Sequence, residues 1–492
     1  MTESLHKSIG QELMLIDGQW VGADSDEFLP VENPAKKGTE AGQVPRAGTA
    51  EVDRAVSAAQ NAFSAWRDMP ARERGKAMLK IADALEAQVE DFARLYTLET
   101  GNAIATQSRG ETMLTADMFR YFGGVASEIK GEVVPLGETL LSYSRREPLG
   151  VVAGIIPWNA PLALGALKIT MALVPGNTLV LKPSVEAPLT AIKLARLCAE
   201  YLPPGVLNVV TGKGSECGQA LLDHPGIAKL SFTGSTEVGQ RIMQAAAERI
   251  IPVSLELGGK SPQIVFPDAN DDETVQGVIN AMRFIRQGQS CTAGSRLFLH
   301  KSIYDDFLGR LTEKLKGLKI GDPFDESTQM GAIVNRNQYE TVCGYIDETL
   351  KLPGADAVIG GMPPETGPLS EGYFVEPTIF SGVDNEWRIT KEEVFGPVLT
   401  VIPWEDESEA IQMANDTHYG LSAFIFTRDI SKGLKAAQAV ESGFVQVNQG
   451  LGIVPGQSYG GFKQSGIGRE WSLEGMLESF TRRKSITVNL AY

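Results

Sequence analysis

Apolar positions recur at steps of three and four in two stretches near the amino terminus. Val52, Val56, Ala59, Phe63 and Trp66 form the first, and Met78, Ile81, Leu85, Val89 and Phe92 the second. The spacing predicts two amphipathic helices, with Pro70 between them. The residues before them read as short strands and turns. From about residue 150 the pattern changes, and short apolar runs alternate with helical stretches. The runs cover 151–156, 178–181, 207–210, 229–232 and 253–255. A second series covers 263–266, 296–299, 399–402 and 444–447. Strands that alternate with helices predict crossover connections and mainly parallel sheets, here in two α/β domains. Ligands are then expected in the loops beyond the carboxyl ends of the strands. The stretch 320–390 is rich in Gly, Pro and Asp and reads as loop. The tail, 485–490, alternates like a strand, and 131–146 also reads as extended. Neither has an obvious partner nearby, so both are candidates for pairing with another subunit.

Length and charge narrow the reading. A chain of 492 residues exceeds one ordinary core, which supports two large domains. A net charge of −16 with no compensating basic stripe argues against a nucleic-acid partner. Cys198, Cys217, Cys291 and Cys343 fit neither a disulfide framework nor a zinc site, and the histidines are equally scattered, so no metal is expected. The first residues contain no apolar core of a secretory signal, and cytoplasm is the default compartment. The stretch 149–167 is uncharged and long enough to raise the question of a membrane span. Pro157, Asn159 and Pro161 at its centre would break a spanning helix, so a buried strand, a loop and a buried helix are predicted instead.

Four residues stand out chemically. Cys291 lies in GQSCTAGSR, where small polar neighbours replace the apolar ones of a core cysteine. Such a thiol can be accessible and nucleophilic, although a lone cysteine is more often inert and buried. Glu256 ends an apolar run in LELGGKSP, and a carboxylate at a strand end can serve as a general base. The alternative is an ion pair with Lys260. Asn159, between a strand and a helix, can donate to an oxyanion without titrating, or can be a turn residue. Lys182 ends a strand, and FTGSTEVG follows another and opens a helix, a setting suited to a pyrophosphate.

With these residues the sequence resembles the aldehyde dehydrogenase superfamily. The blocks PWN, KPS, FTGSTEVG, LELGGKSP, GQSC, EEVFGPV and GGFKQSGIGRE occur in the family's order, and similarity covers almost the whole chain. The resemblance implies an NAD(P)-dependent oxidation of an aldehyde to a carboxylic acid. It implies Cys291 as nucleophile, Asn159 as oxyanion donor and Glu256 as the base that activates water. Glu470 matches a second carboxylate often given a proton-relay role. Lys182 matches the residue that reaches the adenine ribose. Gly214, Gly218, Phe232, Gly234 and Ser235 match positions around adenine and pyrophosphate. Glu393 and Phe395 match contacts to the nicotinamide ribose. Ile156, Pro157, Trp158, Ser184, Val185, Val238 and Leu257 complete the implied cofactor wall. The implied aldehyde channel takes in Ala160, Leu164, Leu167, Ile285, Ser290, Thr292 and Tyr459.

The family's plan also divides the chain. A Rossmann-like cofactor domain takes 1–129 and 148–257, and a catalytic domain takes 258–470. A small β element for oligomerisation takes 130–147 and 471–492, which implies a homodimer or homotetramer. Two departures matter. Many NAD-selective members carry a glutamate where this chain has Val185, with an acid displaced to Glu186, which opens the site to NAD or NADP. Less bulk at Ala160 and Leu167 than in many members suggests room for a large or aromatic aldehyde. A relative that passes its acyl group to coenzyme A generally lacks the glutamate base, and a non-catalytic binding relative would lack Cys291 or Glu256. A cysteine hydrolase would need a histidine partner, and none is recognisable.

Overall fold

The computed structural model of the chain describes residues 5–491. The short apolar runs after residue 150 assemble into a sheet with five parallel strands at its centre. In spatial order these are Val253–Glu256, Lys229–Thr233, Val151–Ile155, Thr178–Lys182 and Leu207–Val209. The chain enters at the middle strand, steps twice to one side and returns to the other. The loops after Val151–Ile155 and Lys229–Thr233 therefore diverge and leave a crevice between them. Antiparallel strands close the edges: Met14–Ile16 and Gln19–Val21 on one side, Gly466–Ile467 on the other. The last pair lies within 258–470, so this stretch returns to the first sheet before it ends.

The second sheet follows the order Asp356–Ile359, Thr378–Ser381, Val398–Trp404, Arg296–His300, Pro262–Val265, Ser422–Phe426 and Phe444–Val447. All its pairs are parallel except the first. Five residues, 257–261, join the end of Val253–Glu256 to the start of Pro262–Val265. The carboxyl end of the first sheet thus faces the amino end of the second. This corrects the expectation that every motif lies at a carboxyl end. Glu256 does, but Cys291, Glu393 and Phe395 precede strands of the second sheet.

Three other expectations change. The stripe from Met78 to Phe92 belongs to two helices, Ala71–Glu86 and Val89–Thr100. Gln88 breaks the helical backbone between them, and its amide donates to the Ala84 carbonyl at 3.3 Å, an orphan of the first helix end. The region read as loop contains the helix Arg336–Leu350, capped by Asn335, whose Val342, Tyr345, Ile346 and Thr349 are buried. It also supplies the strands Asp356–Ile359 and Thr378–Ser381. Turn-rich composition around these short elements masked them. The tail strand Thr481–Asn489 and Leu140–Pro148 pair with each other along their whole length, with Val133–Pro135 as the third strand. Their partners lie within the chain, some 330 residues apart in sequence at the Arg146 contact.

The uncharged stretch resolves into strand Val151–Ile155, a turn, and helix Pro161–Leu173, which is buried almost throughout. No helix among the described residues is long and apolar enough to cross a membrane.

Candidate active site

Strand register sets the first wall of the site. Ile155 pairs with both Lys182 and Phe232, and Thr233 pairs with Glu256. Lys182, Thr233 and Glu256 therefore sit along one carboxyl-terminal rim. Pro157, Trp158 and Asn159 follow on one side of the crevice, and Gly234 and Ser235 on the other. Ser235 caps the helix Thr236–Arg249, its hydroxyl accepting from the Val238 N–H at 3.4 Å. A Cβ on Gly234 would collide with the Phe232 ring, so glycine lets the ring lie against that turn.

The second wall comes from the loop before Arg296–His300. Between the walls lies a cavity of about 640 Å³, lined by Cys291, Asn159, Glu256, Glu393, Phe395, Tyr459 and Glu470 among others. The link between the sheets brings them this close only because it carries two glycines. A Cβ on Gly259 would meet the Cys291 carbonyl, and one on Gly258 would meet the Glu393 carboxylate at 2.5 Å.

Cys291 is half-buried, and its Sγ lies 3.5 Å from the Tyr459 hydroxyl. Burial pushes the thiol up to about 11, while the hydrogen bond from Tyr459 acts in the opposite direction. Asn159 donates from Nδ2 to the Gln289 carbonyl at 3.1 Å, which turns the amide toward the cysteine loop. A second Nδ2 proton remains available.

Glu256 is buried, and neither carboxylate oxygen has a hydrogen-bond partner. It forms no pair with Lys260. Burial first, and then the neighbouring Glu470, push its carboxyl well above the usual range. Glu470 is fully buried but paired, with Lys168 Nζ at 2.6 and 2.8 Å from its two oxygens and Ser231 Oγ at 3.2 Å. A strand buried on both faces is ordinarily apolar throughout. Here Lys229, Ser231 and Thr233 share one face, beside Ser254 and Glu256 on the neighbouring strand. Leu230, Phe232 and Leu255 on the opposite face pack into the core.

The rim also fits a dinucleotide. Among the described residues the buried Lys182 ammonium donates only to the Pro183 carbonyl, at 3.1 Å, which leaves protons for a ligand. A Cβ on Gly218 would lie 3.7 Å from the Lys182 stem, in the tight turn that opens at Gly214. Ser184 donates to Glu186, placing that carboxylate beside the rim, while Val185 offers no polar atom. Glu393 accepts from the Gly259 N–H at 3.0 Å, and burial pushes its carboxyl up to about 7. Phe395 holds a left-handed backbone, φ 53°, and packs edge-on against Trp158 with ring centroids 5.2 Å apart. Ile156 and Leu257 are buried behind this wall, and Val238 is exposed on the capped helix.

Of the expected channel residues, Ala160, Leu164, Ile285, Ser290, Thr292 and Tyr459 line the cavity. Leu167 does not. It follows Ala163 and Leu164 by one turn on the same helix face, below the cavity floor, and is fully buried in the core. The sequence reading missed Lys168, Ser231, Arg283 and Arg286. Lys168 had a legible signal, being the one charge in the apolar helix LALGALKITMAL.

Comparison with known proteins shows the family. The profile of the aldehyde dehydrogenase family matches residues 20–486. The chain belongs to the aldehyde dehydrogenase family. It is 42% identical to a phenylacetaldehyde dehydrogenase of Pseudomonas fluorescens over 485 residues, covering 96% of this chain and 95% of that one. The crystal structure of PnpE in complex with nicotinamide adenine dinucleotide has a TM-score of 0.95 and 41% identity, covering 98% of both chains. That of betaine aldehyde dehydrogenase from Staphylococcus aureus with NAD+ has a TM-score of 0.95 and 37% identity, covering 100% of this chain and 97% of that one.

The raised thiol gives a direct pH test. Only the thiolate is alkylated, and its fraction grows about tenfold per pH unit below the pKa. Alkylation of Cys291 by iodoacetamide in the enzyme alone is expected to rise steadily from neutral pH toward about 11. Tyr459→Phe, which removes the hydrogen bond that favours the thiolate, is expected to move the curve to higher pH. A plateau reached below neutral pH in both proteins would contradict this account.

Proposed function

We propose that this protein oxidises an aldehyde to a carboxylic acid, with NAD or NADP, through a thioester on Cys291. The observation that carries the reading is the convergence of a thiol, a side-chain amide and an unpartnered carboxylate on one cavity between the two sheets. Lys182 and Ser184 would hold the adenine ribose. The amino end of Thr236–Arg249, with Gly234 and Ser235, would take the pyrophosphate. Glu393 and Phe395 would hold the second ribose. A nicotinamide dinucleotide, when bound, supplies the hydride acceptor.

The chain's own groups do the rest. Cys291 Sγ, as thiolate, attacks the carbonyl carbon. The free Nδ2 proton of Asn159 and the Cys291 backbone N–H stabilise the oxyanion. After hydride loss an acyl group remains on Sγ as a thioester. Water then attacks that carbon, and Glu256 takes its proton. A carboxylate with a raised pKa suits this task, because a base works best with a pKa near the working pH. Glu470 and Lys168 can pass the proton away from Glu256. Hydrolysis releases the acid and restores the thiol.

Ala160, Leu164, Ile285 and Tyr459 give the aldehyde end an open, largely apolar lining that suits a large or aromatic substrate. The phenylacetaldehyde dehydrogenase relative supports an aromatic one. We also infer a homodimer or homotetramer, because Val133, Val134, Leu136, Leu141, Val488 and Leu490 leave the three-stranded sheet with an exposed apolar surface.

Cys291→Ala is expected to abolish aldehyde oxidation while leaving NAD affinity, read by calorimetry, within about threefold, a change of well under 1 kcal/mol. Near-normal oxidation by this variant would overturn the reading.

Val185 predicts weak discrimination between the cofactors. A carboxylate at that position would repel a 2′-phosphate in a partly desolvated site, and valine removes the repulsion. Val185→Glu is therefore expected to raise the ratio of kcat/KM for NAD over NADP by at least about tenfold. A native preference for NAD above about a thousandfold would contradict the argument from Val185 and assign the rejection to Glu186.

A further inference from the structure

The cavity wall beyond Cys291 carries two arginines for which the oxidation chemistry has no use. Arg286 is half-buried, and its Nη2 does most of its bonding. This nitrogen donates to Glu111 Oε2 at 3.0 Å, to the Tyr96 hydroxyl at 3.3 Å and to the Asn159 carbonyl at 3.3 Å. Nε is buried without a partner, and Nη1 makes no hydrogen bond among the described residues. Arg283 also lines the cavity, three residues earlier. It donates to the carbonyls of Gly450 and Leu451 at 2.9 and 2.6 Å, in the loop at the cavity rim, and forms no ion pair among the described residues. Burial pushes its guanidinium down to about 10, as an uncompensated cation requires.

Glu111 is already engaged by Arg286, so Arg283 keeps its positive charge without an ion pair among the described residues. Backbone economy does not explain Arg283 either. It occupies the left-handed position, φ 60°, that ends the helix Asp272–Met282, where glycine is favoured and an arginine is costly. Leu114, Leu164, Ile285, Phe444 and Trp471 supply apolar wall in the same cavity.

We propose that Arg283, with the open Nη1 of Arg286, binds an anionic group of the substrate, so that the aldehyde presented to Cys291 carries a carboxylate at its far end beyond an apolar segment. This rests on the aldehyde oxidation proposed above. The carboxylate would pair with the uncompensated charge of Arg283 and receive charge-assisted hydrogen bonds from both guanidinium groups. An apolar spacer, aliphatic or aromatic, would fill the wall between the arginines and the thiol.

The test compares aldehyde pairs that differ in one carboxylate: para-carboxybenzaldehyde against benzaldehyde, and glutaric semialdehyde against pentanal. The native enzyme is expected to favour the acidic member of at least one pair by tenfold or more in kcat/KM, mostly through KM, on the order of one charge-assisted hydrogen bond. Arg283→Gln keeps amide donors for the Gly450 and Leu451 carbonyls but removes the charge. It is expected to cut the acidic-over-neutral ratio by about ten- to a hundredfold, and Arg283→Lys to restore part of it. Calorimetric titration of glutarate into the resting enzyme is expected to show binding that Arg283→Gln weakens. No acidic preference in the native enzyme, or an equal loss on both members of each pair, would overturn the proposal. Oxidation of no aldehyde alongside Arg283-dependent glutarate binding would instead overturn the proposed activity and leave the anion site standing.

Discussion

Glu256 is buried beside Glu470, and burial together with that neighbour raises the cost of ionising Glu256. Two such carboxylates cannot both hold a negative charge there without a cation. Lys168 supplies it. Its ammonium meets both oxygens of Glu470 and leaves Glu256 with none of its own. The pair therefore fixes an asymmetry: Glu470 is satisfied by the ammonium, and Glu256 stays open to protonation and to the cavity. Removing one partner of a fully buried pair strands the other at a cost of about 3–5 kcal/mol, so chemistry and folding draw on the same contact. The pair is also a mechanical tie. Lys168 stands on the helix that follows Asn159, and Glu470 on the segment that leads into the tail strand.

The second constraint is the short link from Glu256 to Pro262. It turns the carboxyl end of one sheet toward the amino end of the other and leaves little room. Gly258 and Gly259 accept that closeness, one against Glu393 and the other against the Cys291 carbonyl. The result places the Glu256 carboxylate from the first sheet and the Cys291 thiol, from the loop before a strand of the second, on opposite walls of a single cavity. The cofactor rim, from Lys182 to Ser235, belongs to the first wall, so a dinucleotide bound there and an aldehyde at Cys291 would approach from different sides. The topological switch in the first sheet explains why the crevice opens at Trp158 and Gly234 rather than elsewhere.

Much of this was legible in the sequence. The runs at 151–156, 178–181 and 253–255 became strands within a residue of the predicted ends, since an apolar run between turn residues has few alternatives. Cys291 was visible through its small polar neighbours, Glu256 as the end of an apolar run and Asn159 between a strand and a helix, with the family resemblance singling all three out, and the structure brings them to one cavity. The losses have physical reasons. Leu167 has the right helix face but lies one turn too deep, which periodicity cannot resolve. Strand Ser422–Phe426, next to the edge of the second sheet, is a short apolar run with no alternation to mark it. The helix Arg336–Leu350 was hidden by the glycines and prolines around it. Arg283 matters because it has no ion-pair partner among the described residues, and Arg286 because its Nη1 stays open beside the pair with Glu111, features that exist only once the chain is folded. The mutual pairing of the tail with Leu140–Pro148 depends on long-range closure that no local pattern encodes.

The central claim is that Glu256 acts after the hydride has left, on the thioester at Cys291. The most direct measurement is rapid mixing of Glu256→Gln with NAD and aldehyde, with reduced nicotinamide followed by absorbance and the quenched protein weighed by mass spectrometry. The account predicts a burst of reduced cofactor approaching one per active site, then slow turnover, with an acyl group retained on Cys291. Turnover as fast as in the native enzyme, or a slow phase with no acyl group on the protein, would contradict it.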